Sequence, residues 1–327
     1  MMLSSLFSVV VVTYNQENLV LETLESIYNQ TYKNIELVIS DDASTDSTKE
    51  VIEKWLMRKG DRFTNVITSF GTENKGISGN HANGLKLANG EFVKYIGGDD
   101  ILLPDAVEKM YNFLFDNGGA RFCMAIIRPF YDNNRGRVFL DELPDKRIIK
   151  KLRSSNVEQQ FRIVAKNCVI SAPGTFFRKS IFEDFGYPDE SFRTFEDWHE
   201  WLKFLLNGER LYVLNEYTVL FRKHPRSLST SAIYSGNRRF YEENLRVYKE
   251  YVLPNIDKFS VAEVISIYSI VKLYAGLLRY GVDRQTYTRL RYYRMLDPLW
   301  WLELPHSLVR KIRYELAYKK MFSEESK

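Results

Sequence analysis

The chain has 327 residues, too many for one minimal domain and too few for three, so one large domain with an appendage is expected. Hydrophobic residues make up 45% and charged residues 27%, which excludes an intrinsically disordered chain and fits a globular protein with a substantial core. Net charge is only +4, yet residues 231–327 carry 17 Lys/Arg against 11 Asp/Glu, whereas the preceding 230 carry 29 against 31. A basic tail on a slightly acidic front half implies different surroundings for the two parts. Two cysteines, Cys123 and Cys168, make no disulfide framework and lack metal-site spacing, so both are expected as reduced core thiols in a reducing compartment.

The apolar N-terminal run has no basic leader region and stops at Thr13, which predicts a buried strand over Phe7–Val12 in place of a signal peptide. No stretch reaches the roughly 18 apolar residues of a bilayer span, so a cytoplasmic location is expected. A helix follows over Asn18–Asn29, with Leu21, Leu24, Ile27 and Tyr28 near helical spacing. IELVIS (Ile35–Ser40) reads as a second strand. Ser47 and Glu50 have capping-box spacing ahead of a helix that Gly60 ends. Val66–Ser69 is a third strand, Ser78–Ala88 a helix closed by Gly90, and Phe92–Ile96 a fourth strand. Pro104 suits the first turn of a helix reaching about Asn117.

This alternation of strands and helices demands crossovers and a mostly parallel sheet, whose ligand site lies at the carboxyl ends of the strands. Three polar clusters fall at such ends: Thr13-Tyr14-Asn15, Asp41-Asp42 and Asp99-Asp100. Beyond about Arg121 the pattern loosens, with strand character at Phe122–Arg128, Ala172–Phe177 and Leu211–Phe221, and helices at Val157–Lys166 and Trp198–Leu206. From Ile233 onward helical patterns dominate: Gly236–Tyr251, Val261–Tyr280, Gln285–Leu296 and Pro305–Phe322.

Four local motifs bear chemistry, and each has two readings. Asp99-Asp100, preceded by Gly97-Gly98, offers hard oxygen ligands for Mg²⁺ or Mn²⁺ on a diphosphate, or is a solvated turn ahead of Pro104. A carboxylate of the acidic, hydroxyl-rich loop Asp41-Asp42-Ala43-Ser44-Thr45-Asp46 accepts a nucleobase N–H, or the loop is an Asx-turn and helix N-cap. Glu196-Asp197, before a helix rich in bulky apolar residues, is a desolvated general base or a complement to the helix dipole. His224, flanked by Arg222 and Arg226, is a metal or phosphate contact or a surface residue.

SVVVVTYNQE, DDASTDST, NKGISGNHANGLKLANGEFVKYIGGDD, FEDW and FRKH occur in this order. Taken together they resemble family-2 glycosyltransferases: inverting enzymes with the GT-A fold, an α/β nucleotide-diphospho-sugar transferase with a mostly parallel sheet and helices on both faces. The resemblance covers about residues 6–230. It implies a catalytic domain over 1–230, with a donor-binding half over 1–120 and an acceptor half over 121–230, followed by a helical region over 231–327. It places Val12, Thr13, Tyr14 and Glu17 where the first loop meets the nucleotide. Asp42 matches the aspartate that reads the base, usually uracil, and Gly76 and Asn80 lie along the nucleotide. Asp99 and Asp100 share ribose contact and metal ligation, Asp100 being the favoured ligand of a divalent cation (Mn²⁺ or Mg²⁺). Asp197 matches the catalytic base and His224 a histidine of the metal or diphosphate site. Glu196, Trp198 and Arg222 are candidates for phosphate or acceptor contacts. Two positions depart from the family pattern. Many members carry a third acidic residue where this chain has Gly97 or Gly98, and the usual arginine of the Asn-x-Gly segment is His81.

The implied donor is a nucleotide-diphosphate sugar, UDP-sugar favoured, and the implied acceptor a saccharide or polyprenyl-linked saccharide in bacterial surface polysaccharide synthesis. The tail segment YYRMLDPLWWLELPHSLVRKIRYELAYKK mixes Trp and Tyr with Arg and Lys. It suits either peripheral contact with the inner face of the cytoplasmic membrane or a packing lid. A sugar-nucleotide-forming nucleotidyltransferase is a competing reading, but TYNQEN lacks a Gly-rich basic phosphate loop. A non-catalytic nucleotide or carbohydrate binder is another. No nucleic-acid partner is expected, because the basic residues form no recognisable motif.

Overall fold

The structure, a computed structural model, describes residues 5–134, 136–166, 168–224 and 237–290. The described residues fall into two units. The first is drawn from Met1–Pro129, Leu140–Val164 and Cys168–Arg222, and the second from Phe130–Phe139, Ala165–Asn167 and Lys223–Lys327.

The first unit begins with β1 (Phe7–Thr13), whose seven residues are all buried. After helix α1 (Val20–Tyr28) comes β2 (Ile35–Asp41), buried throughout. Helix α2 (Thr48–Lys59), β3 (Asn65–Phe70), α3 (Gly76–Leu87) and β4 (Phe92–Gly97) complete the parallel half. A two-residue strand β5 (Ile101–Leu102) and α4 (Ala106–Asp116) follow. In chain order there follow β6 (Phe122–Asn133), β7 (Gly136–Phe139), α5 (Lys146–Ser154), α6 (Val157–Lys166), β8 (Thr175–Arg178), α7 (Ser180–Phe185), α8 (Trp198–Leu206) and β9 (Leu211–Arg222), of which β7 and the end of β6 from Phe130 count with the second unit. The sheet order is β3-β2-β1-β4-β8-β6-β9-β5. The first four strands are parallel, as the alternating pattern required, and β8 joins β4 antiparallel.

Strand register sets the site. Thr13 is level with Asp41, and Val12 with Gly97, so the carboxyl ends of β2, β1 and β4 finish on one edge. Val9 and Val11 turn to the core shared with Leu24, Ile27, Trp55 and Val107. Val10 sits opposite α3, which approaches closely because it carries glycine. A Cβ on Gly84 would fall 2.5 Å from Val10 Cγ1 and 3.2 Å from Ser40 Cβ. The β4–β8 ladder covers only Phe92 and Val93, so Lys94–Gly97 lies beyond it.

Three local expectations change. Ser47 makes no side-chain cap on α2; the carboxylate of Asp46, one residue earlier, takes both N–H and hydroxyl of Thr48, so the capping box does not form. Pro104 precedes the first turn of α4, with Asp105 between them at the N-cap. Of the two thiols expected in the core, Cys123 is buried but Cys168 is exposed.

In the second unit, Phe130–Asn133 pairs antiparallel with β7. Helices α9 (Arg238–Val247), α10 (Val261–Tyr280) and α11 (Arg284–Leu290) pack around Tyr241, Leu273, Leu277 and Leu290. The spans expected over Gly236–Tyr251 and Gln285–Leu296 are described only in part, and Pro305–Phe322, like the aromatic and basic tail segment, lies outside the described residues. Helix α10 corrects the expectation that no stretch is long and apolar enough to span a bilayer. It has 20 residues and a mean hydropathy of 1.6 over its most apolar window, of which 39% is buried in the protein. By length and composition alone it meets that test, as core helices of soluble proteins also do.

Gly84→Ala is expected to destabilise the protein by about 1–3 kcal/mol, because backbone must move to admit the methyl group. Thermal unfolding checks this: Tm should fall by several degrees, and an unchanged Tm would mean that α3 can retreat from β1 freely.

Candidate active site

The first loop and the loop after β2 are stitched together. Asn15 N–H donates to Ser44 Oγ (2.9 Å), Thr45 N–H donates to Asn15 Oδ1 (2.8 Å), and Ser47 N–H donates to Glu17 Oε2 (2.9 Å). Two non-glycine residues here have left-handed backbone, Asn15 at φ 51° and Ala43 at φ 62°, a conformation that costs alanine on the order of 1 kcal/mol and recurs at functional sites. Tyr14 is exposed beside them. The Thr13 carbonyl accepts from Asp42 N–H (3.0 Å) and Asn80 Nδ2 (3.2 Å), and the Val12 carbonyl from Gly98 N–H (2.9 Å). The structure thereby brings Val12, Thr13, Asp42, Asn80 and the Gly98 turn into one neighbourhood.

Asp42 uses both carboxylate oxygens on the start of α3, accepting from Lys75 N–H (2.7 Å) and Gly76 N–H (2.9 Å). Burial raises its pKa although these two bonds oppose the shift. Gly76 takes φ +81° because Arg193 crosses directly beside it; a Cβ there would stand 3.0 Å from Arg193 Cβ and 3.1 Å from its Cα. Thr13 Oγ1 and Gln16 Oε1 are buried without a hydrogen-bond partner, both directed at the Gly98 turn, where a Cβ would lie 3.1 and 2.5 Å from them. A buried polar atom without a partner is uncommon, and these two lie together beside the Gly98 turn.

Asp99 and Asp100 are held from two sides. Thr23 Oγ1 of α1 donates to the Asp100 carbonyl (2.7 Å), Arg222 N–H donates to Asp100 Oδ1 (2.9 Å), and Arg222 Nε donates to the Asp99 carbonyl (2.9 Å). The Arg222 guanidinium also pairs with Glu22. The missing acidic side chain at Gly97 has a local reason: a Cβ there would lie 2.6 Å from Asp99 Oδ1 and 3.7 Å from Asp100 Oδ2. Two carboxylate oxygens thus converge on the space above Gly97. That donor set fits Mg²⁺ or Mn²⁺, which take one or two carboxylates and complete their shell with phosphate oxygens and water. Among the described residues no group of three or more His, Cys, Asp or Glu forms a preassembled metal cage. His224 follows Arg222 by two positions and belongs to the second unit.

Lys94, which sequence reasoning passed over, is wholly buried within β4. Its Nζ donates to the Tyr95 carbonyl. Burial pushes its pKa down to about 7, while the charges of Asp100 and Glu196 pull upward. The signal was present in FVKYIG, a lysine inside an otherwise apolar strand.

The Glu196-Asp197 element is gripped by α3. Ile77 N–H donates to the Arg193 carbonyl (3.3 Å), Ser78 Oγ to the Phe195 carbonyl (3.0 Å), and Arg193 reaches the Asn74 carbonyl (2.6 Å). His81 Nδ1 lies 2.9 Å from the Ile77 carbonyl, which directs its Nε2 to Glu196 Oε1 at 3.7 Å. Burial lowers the His81 pKa to about 4. Asp197 is the N-cap of α8, its Oδ1 accepting from Trp198 N–H (2.7 Å). The carboxyl pKa values of Glu196 and Asp197 are both raised, by burial foremost, and for Asp197 next by the charge of Glu196. A carboxylate in that state is a stronger base than one in water. Trp198 is buried, its indole N–H donating to the Val164 carbonyl (2.8 Å).

A mixed sheet whose four parallel strands carry acidic residues at one carboxyl edge, with helices between them, defines the GT-A class of fold. Residues 8–186 match the model of Glycosyl transferase family 2, and the chain belongs to that family. A 226-residue segment, 69% of this chain and 80% of the relative, is 25% identical to the UDP-Glc:alpha-D-GlcNAc-diphosphoundecaprenol beta-1,3-glucosyltransferase WfaP of Escherichia coli. Two other curated glycosyltransferases are matched over only 32% and 35% of their own length. The fold is similar to that of S. aureus TarS 1-349 in complex with UDP-GlcNAc, with TM-score 0.59, 21% identity, and coverage of 90% of this chain and 82% of that one. It is also similar to mannosyltransferase PcManGT from Pyrobaculum calidifontis in complex with GDP-Man and Mn²⁺, with TM-score 0.57, 16% identity, and coverage of 99% and 85%.

Glu200, one turn into α8, is buried, and burial pushes its pKa up to about 7 from an ordinary 4.5. A carboxyl group with a higher pKa in the folded than in the unfolded chain adds stability below about pH 4.5, and this is lost as pH rises through about 7. Glu200→Gln is therefore expected to raise Tm at pH 8 by about 2–4 °C and to change it little at pH 5. Thermal unfolding at the two pH values decides it, and equal shifts at both would contradict the assignment.

Proposed function

We propose that this glycosyltransferase is inverting and metal-dependent, and that it moves a sugar from a nucleotide-diphosphate donor, a UDP-sugar by preference, to a saccharide or polyprenyl-linked saccharide. The observation that carries this reading is the pairing of two carboxylates converging above Gly97 with a desolvated carboxylate, Asp197, whose neighbours share the charge field of Lys94. WfaP, named for a UDP-Glc donor and a diphosphoundecaprenol-linked acceptor, supports the donor and acceptor classes. The complexes of TarS with UDP-GlcNAc and of PcManGT with Mn²⁺ support the nucleotide and the cation.

In this reading, residues 1–120 bind the donor and 121–230 the acceptor. Val12, Thr13, Tyr14, Glu17, Gly76 and Asn80 line the nucleotide, and Asp42, besides fixing the start of α3, offers its remaining lone pairs to the base. Asp99 meets the ribose. Asp100 would hold Mn²⁺ or Mg²⁺, and the cation when bound would supply positive charge against the nucleoside diphosphate leaving group. Arg222 keeps the Asp99-Asp100 turn in place through its backbone and guanidinium. Asp197 takes the proton of the acceptor hydroxyl as that oxygen attacks the anomeric carbon. The bond to the diphosphate oxygen breaks on the opposite face, so configuration inverts. A lipid-linked acceptor would bring the enzyme to the inner face of the cytoplasmic membrane, where the basic C-terminal region is the surface of contact.

Calorimetric titration of UDP-glucose and UDP-N-acetylglucosamine, with GDP-mannose for contrast, tests this with and without Mn²⁺. Asp100→Asn is expected to abolish the Mn²⁺-dependent part of donor binding. Asp197→Asn is expected to keep donor affinity within about twofold while turnover falls by roughly 10²–10⁴. Undiminished transfer by Asp197→Asn, or by wild type in excess chelator, would overturn the mechanism.

A further inference from the structure

Cys168 lies in the segment between α6 and β8, 29 positions before the base, and nothing in the mechanism above uses it. Its Sγ is 3.6 Å from Asp197 Oδ2 and 3.5 Å from the Ile170 carbonyl. A thiol has one proton, so the two oxygens compete for it. An ionised carboxylate is the stronger acceptor, and a protonated one is the weaker. Asp197 Oδ1 is already held at 2.7 Å by the first N–H of α8, which leaves Oδ2 as the working oxygen. Cys168 is exposed as a residue, and its sulfur lies within hydrogen-bonding reach of this oxygen.

We infer that Cys168 is a positioning residue for the catalytic base: its thiol donates to Oδ2 while Asp197 is ionised and turns to the Ile170 carbonyl once Asp197 carries the acceptor's proton. The inference rests on reading Asp197 as the base. A donor that follows the carboxylate's charge stabilises the ionised base between turnovers and keeps Oδ2 aimed without blocking its other lone pair. The remaining ionisable groups whose charge reaches Asp197 directly or through Glu196 are Glu196 itself, His81, Tyr95, Lys94 and Glu200. Of these, Glu196 pushes the base's pKa up, whereas the Cys168 bond pulls it down. In the other direction, burial foremost and then Asp197 raise the thiol well above its ordinary range, which makes Cys168 a poor nucleophile and suits a donor.

The contact has a readout that needs no turnover. Iodoacetamide alkylates a thiolate, the S–C bond forming as iodide leaves, and intact mass counts the additions. At pH 8, Asp197→Asn is expected to speed alkylation of Cys168 by roughly three- to tenfold, half to one pKa unit in thiolate fraction, while buried Cys123 stays unmodified. Equal alkylation rates in wild type and Asp197→Asn would overturn the inference. The second readout is the pH dependence of Mn²⁺-supported UDP release from UDP-N-acetylglucosamine. Cys168→Ala should move the acid limb up by about half to one pH unit without changing donor KM, and Cys168→Ser should restore it. An unmoved limb in Cys168→Ala, or no rescue by serine, would also overturn it. Full turnover by Asp197→Asn would instead remove the base reading, while the alkylation rates continue to report on the contact itself.

Discussion

Gathering carboxylates in a partly dry site is the constraint under which the rest of this molecule is arranged. Asp42, Asp100, Glu196 and Glu200 are all buried, and an unpartnered buried carboxylate is costly enough to take up a proton. The protein meets this in two ways. At the strand ends it spends backbone N–H groups: Lys75 and Gly76 on Asp42, Arg222 on Asp100. At Glu196, Asp197 and Glu200 burial raises the carboxyl pKa values, as it does less strongly at Asp42. Lys94 stands between the two, its charge felt by Asp100 and Glu196 alike.

The alternation of elements was legible because it depends on local periodicity. Parallel strands buried on both faces read as near-continuous apolar runs, as in FSVVVV and IELVIS, where Ser8, Glu36 and Ser40 are the polar exceptions. Helices α8 and α10 were predicted with the bounds they have, since each is a long run with clear ends. What escaped notice depends on distant partners. Strand β5 has two residues and exists because Ile101 and Leu102 pair with Leu220 and Val219. The hairpin of β7 pairs four residues and leaves them mostly exposed, so no hydrophobic pattern marks it. Helix α5 was legible and was overlooked: Asp145 accepts from Arg147 and Ile148 N–H, a cap with Ile149 and Leu152 buried behind it.

For the site, sequence spacing located the acidic clusters at strand ends but not what holds them. Ser47 had the right neighbours for a capping box, yet the Asp46 carboxylate holds the start of the helix instead, accepting from the Thr48 N–H and hydroxyl and from Glu17 N–H. The contact of Cys168 with Asp197 joins residues 29 apart through the fold, and no pattern within either segment announces it. Gly97 is the intermediate case. Its departure from the family pattern was visible, but its reason, the carboxylate of Asp99 folded into the vacated space, is a property of coordinates.

Helix α3 gives these separate observations a common mechanical basis. Its first turn is fastened to Asp42 by two N–H groups, and the same turn is fastened to the segment carrying the base by Ile77, Ser78 and His81. Gly84 lets the helix lie against β1 and β2, so it cannot rock without disturbing the strands beneath it. The aspartate assigned to the nucleobase and the carboxylate assigned to the acceptor are therefore anchored to opposite sides of one short rigid element. A change that loosens the start of α3 reaches both at once, and the donor pocket and the base cannot be tuned as independent parts.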